Sequence, residues 1–352
     1  MPPAPRQGGL TPALKVLLGL AAAVVLLAGI SVASEIIGPL AVAAVIVIIC
    51  NPLRRPLDRA GWPSWLATTV VIAVSWAVLL VLAGLLAFAI AEFTQLAIAY
   101  ASDLRETADD LIARLTEYGL NEQASDALAS LFTPSSIVRF ATSLGGSLIT
   151  VLTALFFIFA YAIFMAADGA RYSRAVKEFG SSAVARLQRF AEYNDNVRRY
   201  YVVNTIFGLL VAVIDGLALS WMGVPAPLVW AVLSFVTNYI PNIGFIIGLI
   251  PPMLLALVVG GWPLMLGVII VYTLANVVLQ VLVQPKFVSD AVSLSLTLSF
   301  ISVLFWTFII GPLGAILAIP LTLLVRALVL EGDPQMAWLR WLSGDGQARE
   351  RT

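Results

Sequence analysis

Asp215 is the one carboxylate within residues 201–222, a long apolar stretch in which it lies close to the middle. A charged side chain at the centre of a membrane helix is costly unless it faces protein or water, and such residues commonly mark ion or proton paths. Asp215 is therefore our candidate for ion or proton coupling. A structural role is equally open, in which a protonated or hydrogen-bonded Asp215 joins two helices.

A second polar set consists of amide side chains. Asn276, Gln280 and Gln284 are spaced four residues apart, so a helix would place all three on one face. Asn204 is a further amide in an apolar stretch. Such a stripe can line a solute path, although hydrogen bonding between membrane helices is its commoner role.

The segment NYIPNIGFIIGLIPP at 238–252 interrupts an apolar region with amides, prolines and glycines. Pro241 lacks a backbone N–H and disfavours a helical conformation at the residue before it, so a helix is predicted to break here. Irregular backbone inside a membrane is tolerated where protein buries it or water fills the adjacent space. We predict a functional break at which Asn238 and Asn242 face a polyhydroxylated solute, with a proline kink satisfied by neighbouring helices as the alternative. The predicted pathway or gate residues are Asn238, Tyr239, Pro241, Asn242, Gly244, Asn276, Gln280, Gln284 and Lys286.

Small residues and prolines form a third group, to which we assign helix packing or hinge roles. Glycines at short helical spacing allow helices to approach closely, and a sliding gate is the alternative to simple packing. The members are Gly248, Pro251, Pro252, Gly311, Pro312, Gly314 and Pro320.

Several kinds of chemistry lack the residues they need. The chain has no histidine and a single cysteine, Cys50, which excludes histidine-based catalysis, histidine metal sites and an internal disulfide. No nucleotide-binding G-x-x-x-x-G-K-[ST] loop occurs. We therefore predict neither an enzyme nor a bound cofactor or metal, and the zero net charge gives no indication of a nucleic-acid partner.

The elements that must position these residues are membrane helices. Hydrophobic residues make up 61% of the 352 and charged residues only 11%, against roughly 25% charged in soluble domains. Apolar runs of about 18 residues or more recur, and each can cross a bilayer as a helix. We predict an all-α polytopic membrane protein with about eight transmembrane helices, some broken or re-entrant, and amphipathic helical insertions. The predicted helices lie at about 14–31, 36–51, 66–91, 144–167, 201–222, 227–259, 262–284 and 299–329.

The distribution of basic residues predicts the topology. The loop after the second helix and the segment 168–200 are rich in arginine, whereas 92–140 contains few basic residues, and basic loops stay in the cytoplasm. The predicted parts, in order, are a cytoplasmic tail at 1–13, membrane helices at 14–91, an extracytoplasmic amphipathic insertion at 92–140, a membrane helix at 141–167, a cytoplasmic basic amphipathic segment at 168–200, a C-terminal membrane region at 201–330 and a cytoplasmic tail at 331–352.

The C-terminal half carries a recognisable series of motifs. They are N-Y-I-P-N-I-G at 238–244, I-P-P at 250–252, Q-P-K at 284–286, L-F-W at 304–306, G-P-L-G at 311–314 and I-P-L-T at 319–322. In residues, order and spacing, the stretch from about 195 to 330 resembles the autoinducer-2 exporter family of bacterial membrane proteins, also called PerM-like. Ser289 and Asp290 depart from the family, many members of which have Gly shortly after the P-[KR] step.

The resemblance implies transport across the bacterial inner membrane. The expected solute is autoinducer-2, a quorum-sensing signal, or a related small polar molecule, and the expected assembly is a homo-oligomer, with a pentamer as one form. The alternative is a sodium/proton antiporter that uses Asp215, and a membrane scaffold is the third possibility. The sequence leaves open the solute, the energy source and whether 227–259 crosses once or folds back.

Overall fold

The computed structural model describes residues 11–117, 121–131, 133–169, 181–241, 243–288, 294–330, 338–339 and 343. These residues are almost entirely helical and contain no strand, which confirms the all-α prediction. A 3₁₀ turn at Asn51–Leu53 and a π-helix at Val277–Val283 accompany the α-helices. The α-helices are α1 Pro12–Val32, α2 Ser34–Cys50, α3 Arg54–Arg59, α4 Ser64–Ala99, α5 Ala101–Glu117, α6 Glu122–Leu131, α7 Pro134–Gly169, α8 Ser181–Trp221, α9 Pro227–Thr237, α10 Gly244–Asn276, α11 Pro285–Val288, α12 Leu296–Ile310 and α13 Pro312–Val329.

Length and composition identify the helices that can cross a bilayer. Among the described residues five helical stretches are long and apolar enough, and shorter apolar helices accompany them at Val16–Val32, Thr153–Met165, Pro227–Thr237 and Leu296–Ile310. The five are Ser34–Arg59, Ser64–Ala99, Leu187–Trp221, Gly244–Val283 and Pro312–Val329. The chain is a polytopic membrane protein, and many large apolar side chains lie exposed on its surface, where lipid would cover them.

The predicted helix at 227–259 is two helices that fold back on each other. Gly248 of α10 lies against Ser234 of α9: a Cβ added at Gly248 would be 3.7 Å from the Cα of Ser234. A straight helix would separate these two residues by about 21 Å. The chain therefore reverses direction between Thr237 and Gly244, and α9, with 11 residues, is too short to span about 30 Å of hydrocarbon.

A second reversal occurs within α10, at Gly261. Its φ and ψ of 67° and −164° are non-helical values that essentially only glycine adopts. Ser234 neighbours both Gly248 and Tyr272, although a straight helix would place those two about 36 Å apart. The helix therefore has a first arm at 244–260 and a second arm at 262–276, which agrees with the predicted boundary between 259 and 262.

The predicted last helix at 299–329 is also two helices. Gly311, at φ 76° and ψ −155°, ends α12, and Pro312 opens α13. The glycine can adopt this backbone conformation, and a proline at the first helical position loses no hydrogen bond. Gly311 was predicted to have a packing or hinge role within one long helix, whereas it forms the turn between two packed helices.

Four clusters of buried side chains hold the helices together. One joins α2, α4 and α7 around Ala43, Leu79 and Ile158. A second joins α4 with α8, α9 and both arms of α10, and a third joins α2, α8 and α13. The fourth packs α12 and α13 against Ile240 and Ile243, which lie in the turn between α9 and α10. The described residues of that turn are half-buried, so protein covers part of this irregular backbone, which a membrane tolerates only beside protein or water.

Candidate functional site

The break between α9 and α10 depends on Gly244. A Cβ at this position would overlap the carbonyl oxygen of Thr237, so any larger residue would force the two helices apart. The backbone N–H of Ile240 donates to the Thr237 carbonyl at 2.9 Å, and that of Gly244 donates to the Ile240 carbonyl at 3.0 Å. These bonds satisfy part of the backbone that Pro241 frees from the helix. Asn242 lies outside the described residues.

Four amide side chains meet at this break, and we refer to Asn204, Asn238, Gln280 and Gln284 as the amide cluster. Gln280 Nε2 donates to Asn238 Oδ1 at 2.5 Å, and Asn238 Nδ2 donates to the Asn204 carbonyl at 2.9 Å. Gln284 Nε2 donates to Asn204 Oδ1 at 2.5 Å. The cluster joins α8, the end of α9 and the π-helix that follows the second arm of α10.

Gly208 lets Asn238 approach α8. A Cβ at Gly208 would lie 2.6 Å from Asn238 Nδ2 and 3.1 Å from its Cγ. The Asn238 amide therefore occupies the space that a side chain at position 208 would fill. Gly208 was not among the predicted site residues, although it is one helical turn from Asn204.

The π-helix at Val277–Val283 sets the direction of the two glutamines. The backbone N–H of Gln284 donates to the Leu279 carbonyl at 2.8 Å, five residues back, which is the π-helical pattern. Gln280 and Gln284 both reach the cluster as their spacing suggested. Asn276 lies one turn before them, half-buried, and its side chain has no hydrogen bond to another described residue.

Tyr239 lies beside the amide cluster and belongs to an aromatic group. Its hydroxyl is 2.8 Å from the Thr205 hydroxyl, and its ring stacks on that of Tyr201 with the centroids 6.1 Å apart. The Tyr201 hydroxyl donates to the Ile316 carbonyl of α13 at 3.0 Å. The aromatic group thus connects the break to α8 and to the hairpin of α12 and α13.

Asp215 is completely buried, with 0% exposure. It lies on α8, on the C-terminal side of Asn204, the member of the amide cluster in that helix. The Ser234 hydroxyl of α9 donates to Asp215 Oδ2 at 2.9 Å, while Oδ1 has no hydrogen-bond partner among the described residues. Tyr272 of the second arm is a buried neighbour of Asp215 and Ser234. Gly216 aids this packing, because a Cβ there would lie 3.0 Å from the Cβ of Ala231.

Asp215 and the amide cluster lie along one continuous line between the antiparallel α8 and second arm. Asp215 faces Tyr272, Gly208 faces the Asn238–Gln280 pair, and Asn204 faces Gln284. Asn276 lies along the chain between Tyr272 and Gln280, four residues from each. We call this line the polar seam; its members are Asn204, Gly208, Asp215, Ser234, Asn238, Tyr272, Asn276, Gln280 and Gln284. Sequence reasoning missed Ser234 and Tyr272, although each precedes an identified amide by four residues.

The remaining predicted residues lie around the seam. Lys286 is exposed and joins no described hydrogen bond or ion pair. Pro251 and Pro252 lie inside the first arm of α10, with Pro252 fully buried. Gly248 packs against Thr237, whose Oγ1 would be 2.8 Å from an added Cβ. Pro320 is buried in α13, and its carbonyl accepts a hydrogen bond of 3.3 Å from the Tyr193 hydroxyl.

Two of the sequence motifs bind each other across the hairpin of α12 and α13. Trp306 Nε1 donates to the Thr322 hydroxyl at 3.0 Å, and the Ser302 hydroxyl is 2.7 Å from the same oxygen. A Cβ at Gly314 would overlap the Trp306 carbonyl oxygen, so this glycine permits the close approach of the two helices. The L-F-W and I-P-L-T motifs therefore form one clamp.

Broken and folded-back helices around a buried polar line are typical of membrane transport proteins. The chain belongs to that class and, within it, to the AI-2E transporter family, whose model matches residues 20–332. A Haemophilus influenzae protein named "Putative transport protein" is 31% identical over 94% of this chain and 96% of its own length. The Escherichia coli AI-2 transport protein TqsA is 28% identical, covering 81% of this chain and 82% of its own length. These matches confirm the family resemblance drawn from the motifs.

Proposed function

We propose that the protein is a secondary transporter or facilitator that exports a small, neutral, polar solute, with autoinducer-2 as the first solute to test. The observation that carries the proposal is the amide cluster at the point where α9 breaks. Amides both donate and accept hydrogen bonds and carry no charge, which suits a polyhydroxylated molecule. The name of the related AI-2 transport protein TqsA supports autoinducer-2 as that solute.

In this proposal the hydrogen bonds of the cluster hold a gate closed. Asn238 and Gln280 bond to each other, and Gln284 bonds to Asn204, so these amide groups are already occupied. A solute that passed here would exchange these bonds for bonds to itself, with little loss of hydrogen-bond energy. The chain folds back at 238–243 and at Gly261. Such a gate would move about the helix ends at these two places.

Flux through proteoliposomes tests the proposal. Wild-type protein is expected to release trapped autoinducer-2 faster than empty liposomes, and Gln280→Leu is expected to abolish most of that release. Ser75→Ala is the matched control, because Ser75 is a buried membrane residue remote from the seam whose hydroxyl bonds to the Val71 carbonyl of its own helix. If the reconstituted protein moves sodium but no autoinducer-2, the proposal is wrong.

A sodium/proton antiporter is the second candidate, and Asp215 is the observation that favours it. A buried carboxylate with one hydrogen bond is a natural binding group for a proton or a cation. Asp215→Asn should abolish proton-coupled sodium flux in that case, while export of a neutral solute by the gate should survive. If neither flux nor export occurs, a scaffold role for the helices within 92–140 and 168–200 gains support.

We further propose an inner-membrane location with both termini in the cytoplasm. The packing supports this orientation, because Ile48 and Ile49, next to the basic loop, share a cluster with Tyr193 of the basic segment. The acidic helix α5 instead begins next to Tyr100, which packs on the cluster at the far end of α8. Basic segments at one end match a cytoplasmic side. Assembly into a homo-oligomer, with a pentamer as one form, remains part of the proposal.

A further inference from the structure

A cleft between α8 and α13 lies apart from the polar seam and encloses about 170 Å³. Three residues of each helix line it: Arg189, Phe190, Tyr193, Leu324, Ala327 and Leu328. Apart from the Arg189 guanidinium and the Tyr193 hydroxyl, these side chains are apolar. We refer to this apolar groove with one cationic side chain as the α8–α13 cleft.

Two tyrosines of α8 fix the position of the cleft. The Tyr201 hydroxyl donates at 3.0 Å to the carbonyl of Ile316, which lacks its helical partner because Pro320, four residues later, has no N–H. The Tyr193 hydroxyl donates to the Pro320 carbonyl at 3.3 Å. The two helices are therefore antiparallel, and the cleft lies beyond the second bond, toward the start of α8 and the end of α13.

The cleft lies where both helices reach the surface of a bilayer. Arg189 is two residues after the start of the apolar stretch Leu187–Trp221, and Leu328 is one residue before the end of Pro312–Val329. An arginine near the end of a membrane helix holds its guanidinium at the level of the lipid head groups. Phe190 and Leu328 are exposed, so the hydrocarbon of a lipid has access to the groove.

These features match the two parts of a phospholipid. A cavity of about 150 Å³ can hold a benzene molecule, so the cleft has room for a short length of acyl chain. A guanidinium binds phosphate oxygens through parallel N–H donors, and basic pockets between membrane helices bind anionic head groups. We propose that the α8–α13 cleft binds an anionic phospholipid, with an acyl chain in the groove and the phosphate on Arg189. The proposal stands whether or not the protein exports autoinducer-2.

The acidic side chains of α8 beside the cleft leave room for this anion. Asp195 is paired with Arg198, with Oδ1 3.2 Å from Nη2. Glu192 is exposed and lies three residues after Arg189 on the helix. A guanidinium has five N–H donors, so a contact with one carboxylate leaves other donors of Arg189 for a phosphate.

The basic loop after α2 adds positive charge at the same end of the molecule. Ile48 and Ile49, at the end of α2, pack in the same cluster as Tyr193. The loop that follows at 51–60 contains three arginines and one acid, and that acid, Asp58, is 3.1 Å from the Nε of Arg54. An anionic head group at the cleft therefore meets a basic end of the protein, where its charge is stabilised.

Native mass spectrometry of the purified, delipidated full-length protein tests the proposal. The probes are phosphatidylglycerol, which is anionic, and phosphatidylcholine with the same acyl chains, which is zwitterionic. We expect the wild type to retain phosphatidylglycerol in preference, and Arg189→Gln to weaken this binding about fivefold, the effect of one basic residue at an anionic membrane surface. Arg199→Gln is the matched control and should bind as the wild type does. It removes the same charge from an exposed residue of the same helix that is not among those lining the cleft.

A second variant tests the acyl-chain part of the site. Ala327→Trp fills the groove and leaves Arg189 in place, so it should also weaken the binding of phosphatidylglycerol. Inorganic phosphate, which has no acyl chain, should not displace the lipid. The proposal is wrong if either folded cleft variant binds phosphatidylglycerol as tightly as the wild type, if Arg199→Gln weakens binding as much as Arg189→Gln, or if phosphatidylcholine binds equally well. Displacement by inorganic phosphate would also overturn it and would assign a simple anion site.

Discussion

Helix α4 and the polar seam use polar side chains in opposite ways. On α4 the hydroxyls of Thr68, Thr69 and Ser75 donate to carbonyls four residues earlier in the same helix. In the polar seam the side chains of Asn238 and Gln280 bond across helices instead. The α4 hydroxyl bonds stay within one helix, whereas the seam bonds join α8, the end of α9 and the π-helix.

The glycines of the same two regions also differ in how closely they pack against neighbouring elements. Gly84 of α4 has no heavy atom within 4 Å of the position where a Cβ would lie, so this glycine serves no close approach. Gly208, Gly244 and Gly248 each face a neighbouring element at a distance that a side chain would violate. Glycines in the seam and beside the break are therefore needed for close packing, whereas Gly84 on the equally apolar α4 is not.

The largest expected effect comes from an alanine at Gly244. Gly244→Ala places a methyl group on the Thr237 carbonyl oxygen, which cannot rotate away, and we expect a loss of about 3–5 kcal/mol in stability or no folded protein. Gly84→Ala is the control, with an expected gain of about 0.5–1 kcal/mol from the better helix former. Thermal unfolding in detergent measures both. Equal effects of the two alanines would contradict the difference in packing between Gly244 and Gly84.

The next effect concerns the amide cluster. Asn238→Ala leaves Gln280 and the Asn204 carbonyl without their partner, which should cost about 1–3 kcal/mol and reduce solute flux about tenfold. Ser75→Ala should change stability by less than about 1 kcal/mol, because its hydroxyl donates to a carbonyl of its own helix and its other neighbour is the weakly hydrogen-bonding Cys50 thiol. Denaturant unfolding and liposome flux provide the measurements. A Ser75→Ala loss as large as that of Asn238→Ala would show that α4 and the polar seam depend equally on polar contacts.

A double-mutant cycle measures the coupling between Asn238 and Gln280. Asn238→Ala and Gln280→Ala should be non-additive by about 1 kcal/mol, because the residues share a hydrogen bond. Asn238→Ala and Ser75→Ala should be additive within about 0.5 kcal/mol, because they lie in different clusters. Full additivity of the first pair, measured by unfolding, would contradict the described cluster.

The smallest effect is expected at Tyr239. Tyr239→Phe removes the hydrogen bond to Thr205 but keeps the ring stacked on Tyr201, so stability should fall by about 0.5–1.5 kcal/mol. The matched change Tyr161→Phe, on the N-terminal layer of α2, α4 and α7, should have a smaller effect because no hydrogen bond of its hydroxyl to a described residue is present. A Tyr239→Phe protein as stable as wild type would show that the hydrogen bond between Tyr239 and Thr205 does not contribute to stability.

Sequence alone predicted the break and two glutamines of the amide cluster, because proline chemistry and four-residue spacing are local properties. The helix boundary near Gly261 was predicted, but the reversal at Gly311 was not, since a glycine within an apolar run is equally compatible with a straight packed helix. Gly208 and Tyr272 were missed for a different reason. Their importance comes from the side chain that faces them across the seam, and that pairing depends on which helices pack together.

Accessibility of introduced cysteines tests most directly whether the seam is the solute path. In a Cys50→Ala background, Asn276→Cys places a thiol in the seam and Val71→Cys places one in the buried N-terminal layer. We predict that a membrane-impermeant maleimide labels Asn276→Cys, that autoinducer-2 slows this labelling, and that Val71→Cys stays unlabelled. Labelling of Val71→Cys with protection by the solute, and none of Asn276→Cys, would contradict the account.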